Sequence, residues 1–586
     1  MSLRWLIVAA LIVVTLIVFG PAGRYDFVGW DDDIHVYNNP YLKPPTLLNI
    51  LHFWKGPYEG LYIPATFSLW APLTALSQSF SAEAAGTIFN PHIFHSANII
   101  IHVLNVLLVF TILNRIFRDK FSNSHPITLA IFARNLIRGK KGGEQAFPEY
   151  RSVLAAGLGA ALYAVHPLQV EPVVWVSSLK DLLCGFFSLL ALWLYLSYAR
   201  RGAGGDRDPA IGRRGHKKYA FYATGAFALA LLSKPAAVPL PVIAWLLLHF
   251  RSPDSDFGRR RGNLKALSYP PHALLIGWLL ISVPIIYMAK FAEQDIPLGF
   301  VAPLWARGLV AGDALGFYLF KLFVPLNLGI DYGRIPQLIL ANSWGYFTWL
   351  LLLFIAAACL LGRRRRQWLI CLGIFIAGAS PTLGLVPHGF QLFSTVADRF
   401  LYLAMLGPAL AIGWAVMSCR NAAVIRVGVI LVCLLGFRSV SQRRYWVDNG
   451  ELFHHALEIN ERSYMAHYNL GLTLDGEAKP AEAIFHYEKA LDIKPGYGRA
   501  HNNLGATLTR QGRLREAIGH FAEALRLEPG NEGAYFNLYV AHNVLGVELA
   551  EKGNLEEAGE HFSQALRLRP DYAEARQNLI RITREK

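Results

Sequence analysis

For three quarters of its length the chain alternates long apolar runs with short charged connections; beyond that the pattern becomes amphipathic. Residues 3–19 are apolar apart from Arg4 and Thr15. Ten further apolar stretches follow, at 93–114, 152–166, 175–198, 219–233, 236–250, 272–290, 345–361, 368–386, 400–418 and 424–440. Runs of this length with few charges predict membrane helices, about eleven in all. Residues 306–325 are also hydrophobic but carry Arg307, Asp313 and Lys321, so this segment is expected to lie in the interface or re-enter from the outer side. Residues 20–92 form a long loop whose aromatic patches are too interrupted by proline to span, and predict short interfacial helices. No small-x-small site follows the first run closely, so it is expected to be a retained helix rather than a cleaved signal.

After residue 440 the pattern repeats. Asn469-Leu470-Gly471 recurs as Asn503-Leu504-Gly505, and Ala490-Leu491 as Ala524-Leu525, both 34 residues on. Pro495 and Pro529 keep the same interval. This is the period of the tetratricopeptide repeat, a helix pair with glycine where its helices touch. A third unit runs 41 residues, from Pro529 to Pro570. The seven extra residues make two helical turns, which an elongated first helix absorbs without changing face. A degenerate half-repeat begins near Trp446 and a capping helix closes the array over residues 571–586. The expected fold is therefore all-α, with a membrane domain over residues 1–440 and a repeat domain over 441–586.

Charge adds orientation. Residues 441–586 hold 18 Lys+Arg against 21 Asp+Glu, and the first 440 residues 38 against 20, so the basic excess lies wholly in the latter. There, 25 basic residues crowd into the connections 116–151, 199–218, 251–265, 363–366 and 420–426. These fall on alternate sides of the predicted helices, which makes them cytoplasmic and puts residues 20–92 and 441–586 outside. The basic excess thus reads as membrane topology, and no nucleic-acid partner is expected. All five cysteines lie in or at the edge of predicted helices, so no disulfide framework is expected. No CxxC or HExxH spacing points to a metal, and no phosphate-binding glycine motif points to a nucleotide; Gly157-x-Gly159 reads as helix packing.

Two loops concentrate chemistry. Residues 25–40, YDFVGWDDDIHVYNNP, place Asp31, Asp32 and Asp33 together just after the first apolar run. Residues 166–181, HPLQVEPVVWVSSLKD, press His166, Glu171, Lys180 and Asp181 between two predicted helices. Taken alone, these are also compatible with a solvated turn and with hydrogen bonding at helix ends. Lys234 in LLSKPAAVPLP could simply snorkel, and Arg399 in VADRFLYLA could pair with Asp398.

These stretches, in this order and followed by the repeats, resemble the GT-C glycosyltransferases that carry a tetratricopeptide array: the animal transmembrane-and-tetratricopeptide O-mannosyltransferases and their bacterial relatives. The resemblance implies a polytopic GT-C bundle with an extracytoplasmic repeat solenoid. It implies catalytic roles for Asp32, Asp31 and Glu171, with Asp33, His166, Lys180 and Asp181 in support. Lys234 and Arg399 would hold a donor phosphate, arginine offering a planar fork of donors. The donor would be a sugar, mannose above all, on a polyprenyl or dolichyl phosphate, with no further cofactor. Since phosphate is already a good leaving group, one carboxylate base suffices, and displacement inverts the anomeric carbon. The acceptor would be a protein Ser/Thr hydroxyl presented by the repeats, with Asn469, Asn503 and Asn537 resembling the asparagine ladder of the cytosolic O-GlcNAc transferase array. The implied location is a bacterial inner membrane with the site and repeats periplasmic, or the endoplasmic reticulum with both lumenal. The rival readings are a lipid or envelope-glycan acceptor, and a non-catalytic membrane-anchored scaffold.

Overall fold

Apolar segments in lipid must satisfy their amides internally, and helices do so within one segment. The computed structural model describes residues 2–80, 89–118, 147–202, 209–251, 270–294, 299–362, 364–419, 421 and 423–585. Among them every regular element is helical, apart from an isolated bridge between Tyr58 and Leu61. The basic connections 119–146, 203–208 and 252–269 lie outside the described residues. The chain divides into two compact units, Met1–Asp448 and Asn449–Lys586.

In the first unit, α1 (Leu3–Phe19) is followed by the long loop with α2 (Leu47–Lys55) and α3 (Pro64–Phe80), then by α4 (Pro91–Arg118) and α5 (Phe147–Val165). A short α6 (Val170–Val174) leads into α7 (Leu179–Gly202), α8 (Pro209–Ser233), α9 (Leu240–Arg251), α10 (Pro270–Ala292) and α11 (Leu304–Phe323). After α12 (Pro336–Ala341) come α13 (Leu350–Leu361), α14 (Arg365–Ala379), α15 (Leu406–Ser418) and α16 (Ala423–Gln442). The centre is α4, which packs directly on α5 and α7, α5 also meeting α1 and α15. The most apolar stretch around α7 is 78% buried, against 6% for that around α13 at the periphery. Close approach at the centre depends on small residues: a Cβ on Gly159 would collide with the Ala409 carbonyl of α15, and one on Gly157 would lie 2.8 Å from Ile7.

Among the described residues six helices are long and apolar enough to cross a membrane, or seven if Tyr150–Val165 and Pro167–Val174, bent by 56°, count as one. The sequence pattern led to an expectation of eleven. The shortfall has a local cause. The stretch 368–386 is helical only to Ala379, where Ser380–Thr382 tightens into a 3-10 turn, and 400–418 becomes α-helical only at Leu406. The stretch 236–250 gives only the 12 residues of α9, after the 3-10 turn Pro235–Ala237. The segment around 306–325 is one unbroken helix, α11, whose Asp313 is buried against Arg334 and Thr348. The long loop forms its own aromatic core, with Phe53 stacked on Phe67 at 4.3 Å between centroids, while Leu47 and Leu48 of α2 face outward.

The second unit is a stack of helix pairs. A single helix α17 (Asn449–Ile459) precedes α18 (Tyr464–Gly476) with α19 (Pro480–Ile493), α20 (Gly498–Arg510) with α21 (Leu514–Leu527), and α22 (Glu532–Glu551) with α23 (Leu555–Leu568); α24 (Ala573–Glu585) closes it. The extra two turns of the third unit lengthen α22 to 20 residues, against 13 for α18 and α20. In each pair the signature glycine receives an aromatic ring from the second helix: Gly471 from Tyr487, Gly505 from Phe521 and Gly546 from Phe562.

A Cβ at Gly505 would sit 2.7 Å from the Phe521 ring, whereas one at Gly519 in α21 would meet nothing within 4 Å. Gly505→Ala should therefore cost about 1–3 kcal/mol by overpacking, and Gly519→Ala should be neutral or stabilise by about 0.5–1 kcal/mol through lost chain entropy. Thermal unfolding of the two variants checks this; equal midpoints would contradict it.

Candidate active site

The acidic loop is built by its own short-range bonds. Asn39 accepts the Tyr41 amide at 3.0 Å and its Nδ2 donates to the His35 carbonyl at 3.1 Å, which fixes the turn before Pro40. Asp33 heads the short helical turn Asp33–Tyr37. Asp31 and Asp32, adjacent in sequence, face different surroundings. Asp32 is fully buried: its Oδ1 accepts the Ser177 amide at 2.9 Å and the Ser177 hydroxyl at 2.6 Å, and its Oδ2 accepts the Val28 amide at 3.1 Å. Burial pushes its carboxyl up to about 7 against the pull of those donors. Asp31 keeps 32% of its side chain exposed, with the Lys180 ammonium 3.9 Å away. The loop is thus pinned to the 166–181 segment through Asp32, and Asp31 is the carboxylate left accessible.

The second segment supplies three charges with three different partners. Glu171, buried in α6, accepts the backbone amide of Arg399 at 2.9 Å through Oε2, and its Oε1 pairs with the Arg399 guanidinium. Lys180 turns back to Asp31, and Asp181 binds Lys234 Nζ at 2.5 Å. His166 is occupied at both ring nitrogens, Nδ1 accepting the Leu168 amide at 3.2 Å and Nε2 lying 3.1 Å from the Leu322 carbonyl, so its place is structural. Arg399 pairs with Glu171, 228 positions away, rather than with its neighbour Asp398, which instead accepts a 2.7 Å bond from the Tyr332 hydroxyl.

Aromatic rings hold the cations. The Arg399 guanidinium lies 4.2 Å over Phe390 and 5.0 Å over Trp175 and Phe400; Lys234 Nζ lies 5.1 Å from the Phe400 ring. Asp181, Lys234 and Arg399 line one cavity of about 20 Å³ with Phe400, Tyr402 and Thr382, room for about one water. Asp31, Lys180, Asp181, Lys234, Arg399 and Glu171 therefore form one cluster of three acids and three cations drawn from four separate stretches of chain. Ser177 and Tyr332 belong to its support and were not singled out by the sequence; both hydroxyls come from positions with no charge or spacing signal.

The three repeat asparagines are not equivalent. The amide of Asn503 donates to the Tyr468 hydroxyl at 3.0 Å and that of Asn537 to Asn502 at 3.0 Å. Asn469 is buried, and among the described residues its Nδ2 has no hydrogen-bond partner. Counted from the signature glycines, the place of Asn469 and Asn503 is taken in the third unit by Val544, while Asn537 stands two turns earlier on the lengthened helix.

Family models of the tetratricopeptide repeat match residues 476–539 and 539–572. Over most of its length the chain is also similar to curated animal proteins. It is 25% identical to human "Protein O-mannosyl-transferase TMTC4" over 81% of this chain and 64% of that protein. It is 24% identical to mouse "Protein O-mannosyl-transferase TMTC1", covering 81% and 57%, and to Caenorhabditis elegans "Protein O-mannosyl-transferase F38B6.6", covering 80% and 60%. The chain thus spans less than two thirds of the length of these relatives. The resemblance to the tetratricopeptide-bearing O-mannosyltransferases extends over four fifths of the chain and includes both units.

The different surroundings of Asp31 and Asp32 predict different consequences of one substitution. In Asp32→Asn the new amide either faces the Val28 N–H or the two Ser177 donors, leaving buried donors opposed, at about 1–3 kcal/mol. Asp31→Asn removes the 3.9 Å partner of Lys180 but leaves Asp181 to offset that charge, so it should lower the unfolding midpoint less than Asp32→Asn. Thermal melts of both variants in detergent check this; an unchanged midpoint for Asp32→Asn would show that its three bonds do not form.

Proposed function

We propose that the chain is a multi-pass membrane glycosyltransferase that moves a sugar, mannose first among candidates, from a polyprenyl or dolichyl monophosphate to a protein hydroxyl. The observation that supports this most is the joint cavity of Lys234 and Arg399, two cations from distant stretches, in a cluster of charges that also holds the partly exposed carboxylate of Asp31. The names of the similar proteins agree with the reaction class. In this reading eleven apolar stretches cross the bilayer, four of them as short or broken helices, and the acidic loop and repeats lie on the outer side, periplasmic or lumenal.

The chemistry follows from the groups present. Lys234 and Arg399 would bind the donor phosphate and stabilise the charge that grows on it as the glycosidic bond breaks. Asp31 would take the proton of the acceptor hydroxyl, whose oxygen attacks the anomeric carbon from the side opposite the phosphate, giving inversion. The phosphate leaves with the bonding electrons and needs no acid. Asp32 holds the loop rather than acting as the base, Asp33 shapes its turn, and Glu171 holds Arg399 in place; Lys180 and Asp181 complete the array. Because the cavity is smaller than a phosphate, donor entry requires Lys234 to exchange Asp181 for the phosphate and the Phe390 and Phe400 side chains to shift. The repeat unit would present the acceptor protein, with Asn469 the one member of the trio whose amide is not tied to another side chain.

A lipid or envelope-glycan acceptor is the second reading, because the same site would serve it. Glycan analysis of proteins and of lipids from a deletion strain separates the two: loss of protein-linked sugar supports the first, loss from lipid alone the second. Loss of neither would favour a scaffold.

Two variants test the site. Asp31→Asn should lower transfer by roughly 10²–10⁴-fold, the worth of a positioned base. Removing a cation from a buried pair leaves its partner uncompensated, so Lys234→Gln is best examined together with Asp181→Asn. That double variant should fold and yet lose about 10²–10³-fold in turnover, as for removal of one charge-stabilising donor. Normal transfer from lipid-linked mannose by both would refute the assignment.

A further inference from the structure

The repeat unit contains a feature that a sugar-transfer site does not use. Three histidine pairs recur along it, each between the first and second helix of a unit: His467 with His486, His501 with His520, and His542 with His561. Their Nδ1 atoms face each other at 2.9, 3.0 and 2.9 Å, and the ring centroids are 5.2 Å apart in every pair. The ring planes are tilted alike, at 33°, 32° and 34°. The first histidine stands four residues before the signature glycine, and the second directly precedes the aromatic residue that packs on it. The contact that sets the distance between the two helices therefore also sets the distance between the two imidazoles.

The bonding fixes which nitrogens are available. His467 Nε2 lies 3.2 Å from the Glu461 carbonyl and His501 Nε2 lies 3.0 Å from the Pro495 carbonyl. A carbonyl only accepts, so these Nε2 atoms carry hydrogen and the Nδ1 lone pairs point at the partner rings. An imidazole held through one nitrogen by a backbone carbonyl, with the other presented to a shared point, is the arrangement of a metal-ligating histidine.

We propose that these pairs are binding sites for a borderline divalent d-block cation, with Zn²⁺ as the probe. In binding, the Nδ1 hydrogen of the second histidine moves to its Nε2, both Nδ1 lone pairs take the cation, and no proton is released. Zinc–nitrogen bonds of about 2.0–2.1 Å at a tetrahedral angle require the nitrogens to stand about 3.3–3.4 Å apart, so each ring pair opens by a few tenths of an ångström. Each pair gives two ligands, and among the described residues no three His, Cys, Asp or Glu side chains already converge on one point. Water fills the remaining positions, or the glutamate one helical turn before the second histidine: Glu482, Glu516 or Glu557. Glu516 and Glu557 now pair with Arg513 and Arg515 and would have to exchange those partners. The sites are not alike. His542 has no carbonyl behind it, because the lengthened α22 continues through Phe536, so its ring is less well oriented. The series ends at α24, where Arg576 donates to the Pro570 carbonyl at 2.6 Å, from the position that a histidine holds in the first two units.

The test is a zinc count. The full chain in detergent, stripped with a chelator, is dialysed against graded Zn²⁺ and the bound metal measured. Three ions per chain are expected, two of them tighter than the third. His486→Gln and His520→Gln should each abolish one tight site, His467→Gln should abolish the same one as His486→Gln, and the triple variant H486Q/H520Q/H561Q should lose all three. Zinc should raise the unfolding midpoint of the unaltered chain and not that of the triple variant, a readout that stands even if a single variant folds poorly. No saturable binding by the unaltered chain, or a count unchanged in the triple variant, would show that the pairs are hydrogen bonds alone.

Discussion

The buried pair of Glu171 and Arg399 constrains the first unit more than any other contact. Both side chains are almost wholly out of water, and either charge without the other would be costly there. Glu171 also accepts the backbone amide of Arg399, so the pair fixes main chain as well as side chain. This joins the 166–181 segment to the turn before α15, two regions separated by more than two hundred residues. Around it, the Lys234–Asp181 and Lys180–Asp31 pairs balance two more cations with two more acids, and three aromatic rings cover the guanidinium.

The broken helices follow from that requirement. A side chain on a continuous membrane helix projects from a regular surface, whereas an interrupted one frees backbone groups and lets several side chains converge. The 3-10 turns at Pro235–Ala237, Ser380–Thr382 and Asp398–Leu401 occur where Lys234, Thr382 and Arg399 enter the cavity. Irregular backbone inside a helical bundle is tolerated where protein surrounds it or where it lines a cavity. The helices that fall short of spanning length are thus largely those that shape the site.

Much of this was legible in the sequence because it is periodic or local. The 34-residue interval located the helix pairs, and the seven-residue excess foretold the lengthened α22. The loops carrying charge were also visible. What could not be read was pairing across the chain: that Glu171 meets Arg399 rather than Asp398, and that Asp32 is consumed by Ser177 and Val28 while Asp31 stays accessible. Those outcomes depend on which segments lie side by side. The asparagine series was misleading for a related reason, since an interval of 34 from Asn503 to Asn537 ignores the two turns inserted between the register of Gly505 and that of Gly546. The histidine pairs were hidden because their members lie on two helices, 19 residues apart, rather than in one short motif.

The central claim is that Lys234 and Arg399 together receive the donor phosphate. A structure of the full chain with a bound polyprenyl-phosphate sugar tests it most directly. The account predicts phosphate density within hydrogen-bonding distance of Lys234 Nζ and the Arg399 guanidinium, with the anomeric carbon on the side facing Asp31. Density for the phosphate elsewhere, with the Lys234–Asp181 and Arg399–Glu171 pairs both undisturbed, would contradict it.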